Sequence, residues 1–405
     1  MTHVRSLAWI AVIAVLAACA PGGDGASTTP PLDAARRLNA AGPGSIGNVI
    51  FIVQADRSFN DLFEAFPGTD TASTGRTHDG REVALKAVPL SAPPCSIEGY
   101  GLSSSVTAWN HGEMNGWDLL DSSKPVCPYT YVRPADTKPY WQLAKAFTIG
   151  DHTFSSSYFG DFVAMQYLIA GSTKVAPGTY VIGVPNKLDC DAPAGTTSTV
   201  LRRGKVDPHG PFPCFSYPTI ANLLDAHHVT WKWYAAPNSQ WNPWAYIRYV
   251  RTGPDWKRNV SIPETNVFSD LKNGTLASVS WVTPSVANSD DPASGSDGGP
   301  EWVKSVVTAV RHSKYWSQTA IVVVWNDAGN GQFYDPIAPP QLDVLGLGFR
   351  VPLIAISPFA RNGYVAHAVF QNGGSTLRFV EQNWKLGSLG TTDASSTSVG
   401  ELFTK

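Results

Sequence analysis

Asn48-Val49-Ile50-Phe51-Ile52-Val53, followed directly by Gln54-Ala55-Asp56-Arg57-Ser58-Phe59-Asn60, sets an apolar, largely β-branched run between Gly47 and a polar cluster. An unbroken apolar run of this length with turn signals at both ends reads as a strand buried on both faces, and the polar cluster as the loop beyond it. The pattern returns where the apolar run Thr319 to Trp325 leads into Asn326 to Asp335. Further along, the patterning predicts a helix from Ser216 to His228 and strands from Val229 to Tyr234 and Leu276 to Val282. It then predicts a helix from Pro300-Glu301 to about His312, a strand from Val351 to Ile356 and a helix from about Ser375 to Trp384. Such alternation predicts one α/β domain with a mostly parallel central sheet flanked by helices, whose ligands bind outside the carboxyl ends of the strands. Two strand ends, Gln54 to Asp61 and Asn326 to Asp335, are therefore the expected places for chemistry. The segments Thr69 to Pro139 and Gly178 to Pro213 lack clear periodicity and read as loop-rich insertions on the same domain.

The chain has 405 residues, of which 43% are hydrophobic, so it can bury a large core and is not a disordered segment. Its 30 Lys and Arg against 32 Asp and Glu leave no basic surplus, which argues against a nucleic-acid partner. Arg5 precedes an apolar run from Leu7 to Ala18, too short for a membrane span but suited to the core of a secretory signal. The run ends Leu16-Ala17-Ala18-Cys19, which resembles a bacterial lipobox. The expectation is therefore a signal peptide over 1–18, with Cys19 carrying lipid on an exported, membrane-anchored bacterial protein; ordinary signal cleavage is the alternative. Residues 19–47, rich in Gly, Ser, Thr, Pro and Ala, read as a flexible tether, leaving 48–405 as the folded domain.

Four cysteines remain, Cys95, Cys127, Cys190 and Cys214, an even number that in an exported chain predicts two disulfides. Three pairings are open; the sequential one, Cys95 with Cys127 and Cys190 with Cys214, closes two modest loops and is preferred. No C-x-x-C spacing occurs, which argues against zinc held through sulfur.

The two strand-end loops also carry a resemblance. Gln54 to Asn60 and Trp325 to Asp335 resemble the E-N-R-S-F-D and D-D-W-G-G-F-Y-D-H motifs of the bacterial phosphoesterase family, which contains phospholipases C and an acid phosphatase and is related to the alkaline-phosphatase-like hydrolases. Further matches in the same order are Asn110 to Trp117, Tyr167 to Gly171, Ser280 to Pro284, Gly348 to Ile354 and Tyr364 to His367. The resemblance runs from about residue 46 to about 398. It implies an alkaline-phosphatase-like fold and a hydrolase of phosphoric esters. In such a site a metal is held by Glu and Asn of the first motif and two acids of the second, a Ser or Thr is the nucleophile, and histidines bind the phosphoryl group. A cation lowers the nucleophile's pKa and neutralises charge on the transferred group, while the nucleophile divides hydrolysis into two displacements.

Against that pattern, Ala55 stands at the Glu position, Asp56 at the Asn position and Asn326 at the first acid, leaving Asp327 unchanged. Anchoring on Gln166-Tyr167-Leu168 puts Asp161 at the nucleophile position and Met165 where a histidine is expected, and Gly160 to Met165 holds no Ser, Thr or Cys. The other histidine positions fall near Ser104, at Asp291 and at Pro336, while His367 is retained. Asp56, Asp161 and Asp327, with the Asn326 amide, form an oxygen-only set that suits Ca²⁺ or Mg²⁺ better than zinc. The plain alternative is that these acids are solvated or cap helices.

Three functions follow. The first is a phosphoric ester hydrolase of phospholipase C or acid phosphatase type, acting on a phosphoester or lipid. The second is a catalytically inactive surface binding protein that keeps the fold and a cation site. The third is an enzyme rebuilt around Asp161. Arg57 reads equally well as structural or catalytic. The loop Asn288 to Gly299 reads as a solvated turn, Trp241 and Trp244 as surface residues, and His152 as a histidine without an assignable partner.

Overall fold

The computed structural model describes residues 46–97, 101–185, 188–237, 241–342 and 345–403. The expected signal segment, Cys19 and the tether as far as residue 45 lie outside the described residues. At the centre is an eight-stranded sheet. We label its strands β1 (Asn48–Gln54), β2 (Thr148–Gly150), β3 (Trp231–Tyr234), β4 (Val260–Ser261), β5 (Val279–Val282), β6 (Thr319–Trp325), β7 (Leu353–Ile356) and β8 (Tyr364–Ala366). Their order across the sheet is β4-β3-β5-β1-β6-β7-β2-β8. β7 alone runs against its neighbours; the other seven point the same way. The mostly parallel sheet is thus present, with β7 as its one reversed member.

β1 and β6 pair in parallel along their whole length, from Asn48 opposite Thr319 to Gln54 opposite Trp325, and every residue of both is buried. Strands covered on both faces need apolar residues at successive positions, which is why these two read so directly from the sequence. Phe51, Trp281 and Trp233 stack across β1, β5 and β3 with ring centroids 5.7 and 5.6 Å apart. Each ring adds a large apolar area to the core at the middle of the sheet.

Five helices matter for the site: α1 (Phe59–Phe63), α2 (Asp161–Ala170), α3 (Ile220–Ala226), α4 (Gly299–Arg311) and α5 (Asn372–Trp384). α3 begins later than its periodicity suggests. Pro218 disfavours helix in the residue before it, and Thr219 and Asn222 form a capping box that fixes the first turn after it. α5 packs on α2 so closely that a Cβ at Gly373 would lie 2.6 Å from the Tyr167 carbonyl oxygen.

The insertions are not structureless. Thr74–Arg76 pairs with Glu82–Ala84, and Lys86–Val88 with Thr130–Val132, while three strands of the second insertion join Lys174–Ala176 in a four-stranded antiparallel sheet. Each insertion is closed by one disulfide, Cys95–Cys127 and Cys190–Cys214, with Cα separations of 5.8 and 4.5 Å.

Candidate functional site

Because β1, β6 and β2 run the same way, the residues after them collect at one carboxyl edge of the sheet. Asp56 follows β1 in a left-handed turn with φ 57°, and Asn326-Asp327 follows β6. Asp161 arrives from another direction, as the first residue of α2. Gly160 makes that entry possible, since its φ of 78° is a conformation that side chains resist. One carboxylate oxygen from each of Asp56, Asp161 and Asp327 falls in a single group whose members all lie within 4.8 Å of one another. Sequence reasoning placed these three together only through aligned motifs; the chain brings them together in space.

Asn326 holds the group in place. Its Oδ1 accepts from the backbone N–H of Asp56 at 3.2 Å and of Asp327 at 2.7 Å, and its Nδ2 donates to Asp161 Oδ1. With both lone pairs of that oxygen engaged, Asn326 braces the three carboxylates here. Asp327 Oδ1 accepts from the Gly329 N–H at 2.7 Å, and Trp241 Nε1 donates to Asp161 Oδ1 at 3.3 Å. Trp241 and Trp244 are both buried, contrary to the surface reading: Trp241 reaches Asp161, and Trp244 packs against Trp231 and Trp233 of β3.

The electrostatics are those of crowded acids. Burial raises the Asp56 carboxyl well above its ordinary value, and repulsion from Asp161 and Asp327 raises it further. Burial and repulsion from Asp327 push Asp161 up to about 7, and burial also raises Asp327. Asp291 adds to the negative field on all three. Among the described residues, Asp327 Oδ2 is buried with no hydrogen-bond partner. An unpaired buried carboxylate oxygen facing two further carboxylates is costly unless a cation or a proton sits among them.

Arg57 offers no compensation. It is buried, donating from Nε to the Asp290 carbonyl at 2.8 Å, from Nη1 to Asp61 at 3.1 Å and from Nη2 to the Leu90 carbonyl at 2.7 Å, with Phe333 against its face. It is a structural brace under the loop. Asp290 completes that brace, taking Tyr140 Oη at 2.9 Å and Trp325 Nε1 at 2.8 Å on Oδ2. The solvated-turn reading of Asn288 to Gly299 therefore fails at Asp290, which is fully buried. His367 is not among the three aspartates; it lies with Asp70, Asp151 and His152. That second group was not assembled from sequence, where its signals were a histidine immediately after an acid at a strand end and the retained His367.

Residues 46–387 match the Phosphoesterase family. The chain belongs to that family. Among curated phosphoesterase relatives, the chain is 27% identical to the non-hemolytic phospholipase C of Pseudomonas aeruginosa over 68% of this chain and 42% of that protein. It is 25% identical to phospholipase C A of Mycobacterium tuberculosis over 65% of this chain and 55% of that protein. The chain spans about half the length of the curated relatives it matches. A solved structure of an alkaline phosphatase superfamily protein from Vibrio parahaemolyticus aligns with a TM-score of 0.37 at 10% identity, covering 92% of this chain and 79% of that one. The phosphoesterase family generally binds divalent metals, and the described residues include two groups, one of aspartates and one of aspartates and histidines, that could hold one. No helix among the described residues is long and apolar enough to cross a membrane.

Proposed function

We propose that this phosphoesterase-family protein holds a hard divalent cation, Ca²⁺ or Mg²⁺, among Asp56, Asp161 and Asp327, and through it binds the phosphoryl group of an ester. Hydrolysis by the family's Ser or Thr route is, on this reading, lost. The observation that carries it is the position of Asp161: the first residue of α2, where the resemblance implies a hydroxyl, supplies a third carboxylate beside Asp56 and Asp327. A carboxylate there adds a cation ligand and removes the attacking group. A divalent cation would offset two of the three carboxylate charges that burial otherwise drives toward protonation, and a coordination position left open on it would take a phosphoryl oxygen. Arg57 takes no part, since its guanidinium is spent on Asp61, Asp290 and Leu90.

The names of the relatives point to phospholipid esters as the ligand class. Two disulfides support an oxidising compartment. Together with the apolar run before Cys19, they favour an exported protein tethered to a membrane through that cysteine.

The test is hydrolysis of chromogenic phosphate mono- and diesters and of phosphatidylcholine by the purified domain, with Ca²⁺, Mg²⁺ or Zn²⁺ added. The wild type is expected to match its Asp327→Asn variant, while Asp161→Ser, which restores a hydroxyl, gains turnover. Wild-type turnover abolished by Asp161→Asn and by Asp327→Asn would overturn the reading in favour of an enzyme rebuilt on Asp161.

A further inference from the structure

β2 and β8 are parallel neighbours, with Thr148 opposite Tyr364 and Gly150 opposite Ala366. The residues that follow them, Asp151-His152 and His367, therefore emerge side by side at the carboxyl edge of the sheet. The segment carrying Asp70 closes over them, its backbone N–H donating to Asp151 Oδ2 at 3.0 Å. His152 Nε2 lies 2.9 Å from Asp70 Oδ2 and 3.6 Å from Asp151 Oδ2, and His367 Nδ1 lies 3.0 Å from Asp151 Oδ2. One ligand atom from each of the four residues falls in a group whose members are all within 4.8 Å of one another.

We infer that Asp70, Asp151, His152 and His367 form a second metal site, of the two-nitrogen, two-oxygen kind that takes Zn²⁺. A tetrahedral site with bonds near 2.0 Å spaces its ligand atoms about 3.3 Å apart. The 2.9, 3.0 and 3.6 Å separations bracket that spacing. Without metal, each ring nitrogen must carry a proton to meet its carboxylate; zinc replaces those protons and draws on the same lone pairs. The Asp70 N–H contact leaves Asp151 Oδ2 a further lone pair for the metal.

The surroundings fit a metal ligand set. Asp151 is fully buried, and its Oδ1 takes Arg350 Nη1 at 3.0 Å. Arg350 is fixed in turn by Nε on Asp335 at 3.0 Å and by Nη2 on the Asp70 carbonyl at 2.8 Å. Hydrogen bonds of this kind hold a ligating carboxylate in one orientation. Asp70 and His367 are 55% and 53% exposed, so an ion reaches the site from solvent.

Two imidazoles select a borderline metal, whereas the three-aspartate group offers oxygen alone and suits a hard one. The sites are also apart in space. β2 is two strands from β6 and three from β1, roughly 10 to 15 Å at the usual interstrand spacing. The second site thus does not rest on the proposed function. With four protein ligands it would be closed, clamping the Asp70 segment to the sheet edge.

The test is zinc binding to the chelator-treated full chain, by calorimetry in excess Mg²⁺, with Co²⁺ substitution read in the visible. One equivalent of zinc at micromolar or tighter affinity and the intense visible bands of tetrahedral Co²⁺ are expected. His152→Asn and His367→Asn should each weaken zinc at least about 100-fold, at the top of the range for a ligand or its support. Asp327→Asn should leave it unchanged. Near-UV circular dichroism verifies that the histidine variants are folded. Wild-type zinc affinity weaker than about 100 μM, octahedral Co²⁺ bands, or zinc binding retained in both histidine variants would each overturn the inference and leave a hydrogen-bonded histidine–aspartate array.

Discussion

Stripping divalent ions from the protein and then varying pH should expose the cost of the three-aspartate group. Asp161 rises from 3.8 to about 7 in the folded chain. A carboxyl whose folded pKa lies above its unfolded one holds a proton in the native state after the unfolded chain has released it. Stability from this group is therefore full below about pH 4 and declines as pH rises toward 7, levelling off above. A rise of that size corresponds to about 4 kcal/mol; solvent reaching the half-buried carboxylate screens it, and about 2 kcal/mol is the working figure. At about 2.1 cal/mol/K per residue over some 360 residues, that is a Tm lower by about 2–3 °C at pH 8 than at pH 4, of which about 1–2 °C falls between pH 5 and pH 8. Ca²⁺ or Mg²⁺ at 100 times its dissociation constant adds about 2.7 kcal/mol, so the cation should recover the loss at pH 8. At pH 5 protons compete, and the gain should shrink. Differential scanning calorimetry with and without chelator reads both arms, with Asp327→Asn as control. A cation effect as large in Asp327→Asn as in wild type, or larger at pH 5 than at pH 8, would refute the reasoning.

Gly373→Ala should lower Tm measurably, because its Cβ meets the Tyr167 backbone 2.6 Å away; the clash should cost about 1–3 kcal/mol, read by urea unfolding. Reducing the disulfides, which span separations of 32 and 24 residues, should cost about 3–4 kcal/mol each in the chain-entropy account, seen as a lower denaturant midpoint with dithiothreitol. Asp335→Asn leaves buried Arg350 with one carboxylate partner instead of two, and should destabilise by about 3 kcal/mol or more in the same assay. Cys19→Ser should move the expressed protein from the membrane fraction to the soluble one, checked by ultracentrifugation and blotting.

What the sequence made legible follows from how each element is buried. β1 and β6 are covered on both faces, so their apolar runs are unbroken and their ends show as polar clusters. β2 and β8 are three residues each, too short to carry a period, and so the Asp151–His152–His367 group at their ends left no pattern to read. Asp290 sits in a Gly- and Ser-rich loop that looks solvated; its burial follows from donors on Tyr140 and Trp325, residues 150 and 35 positions away in sequence. The three aspartates were accessible only because aligned motifs named their positions. No periodicity could show that Asp161 enters from a helix while Asp56 and Asp327 enter from strands.

The separation between residues that build the edge and residues that would do chemistry on it explains how this site could change without loss of fold. Arg57 ties β1's loop to Asp61, Leu90 and Asp290, and Arg350 ties β7's approach to Asp151, Asp335 and Asp70. Both guanidiniums are buried and neither is spent on the three-aspartate group. Removing either would strand buried carboxylates, a penalty of several kcal/mol. Exchanging a hydroxyl for a carboxylate at Asp161 costs less, since Asn326 and Trp241 already donate to it and a cation can neutralise it. On the proposed reading, substitution at the positions that would hold metal and nucleophile should be tolerated better than substitution in the two arginine networks. That asymmetry is what the proposed redirection of a phosphoesterase fold from turnover to binding would require.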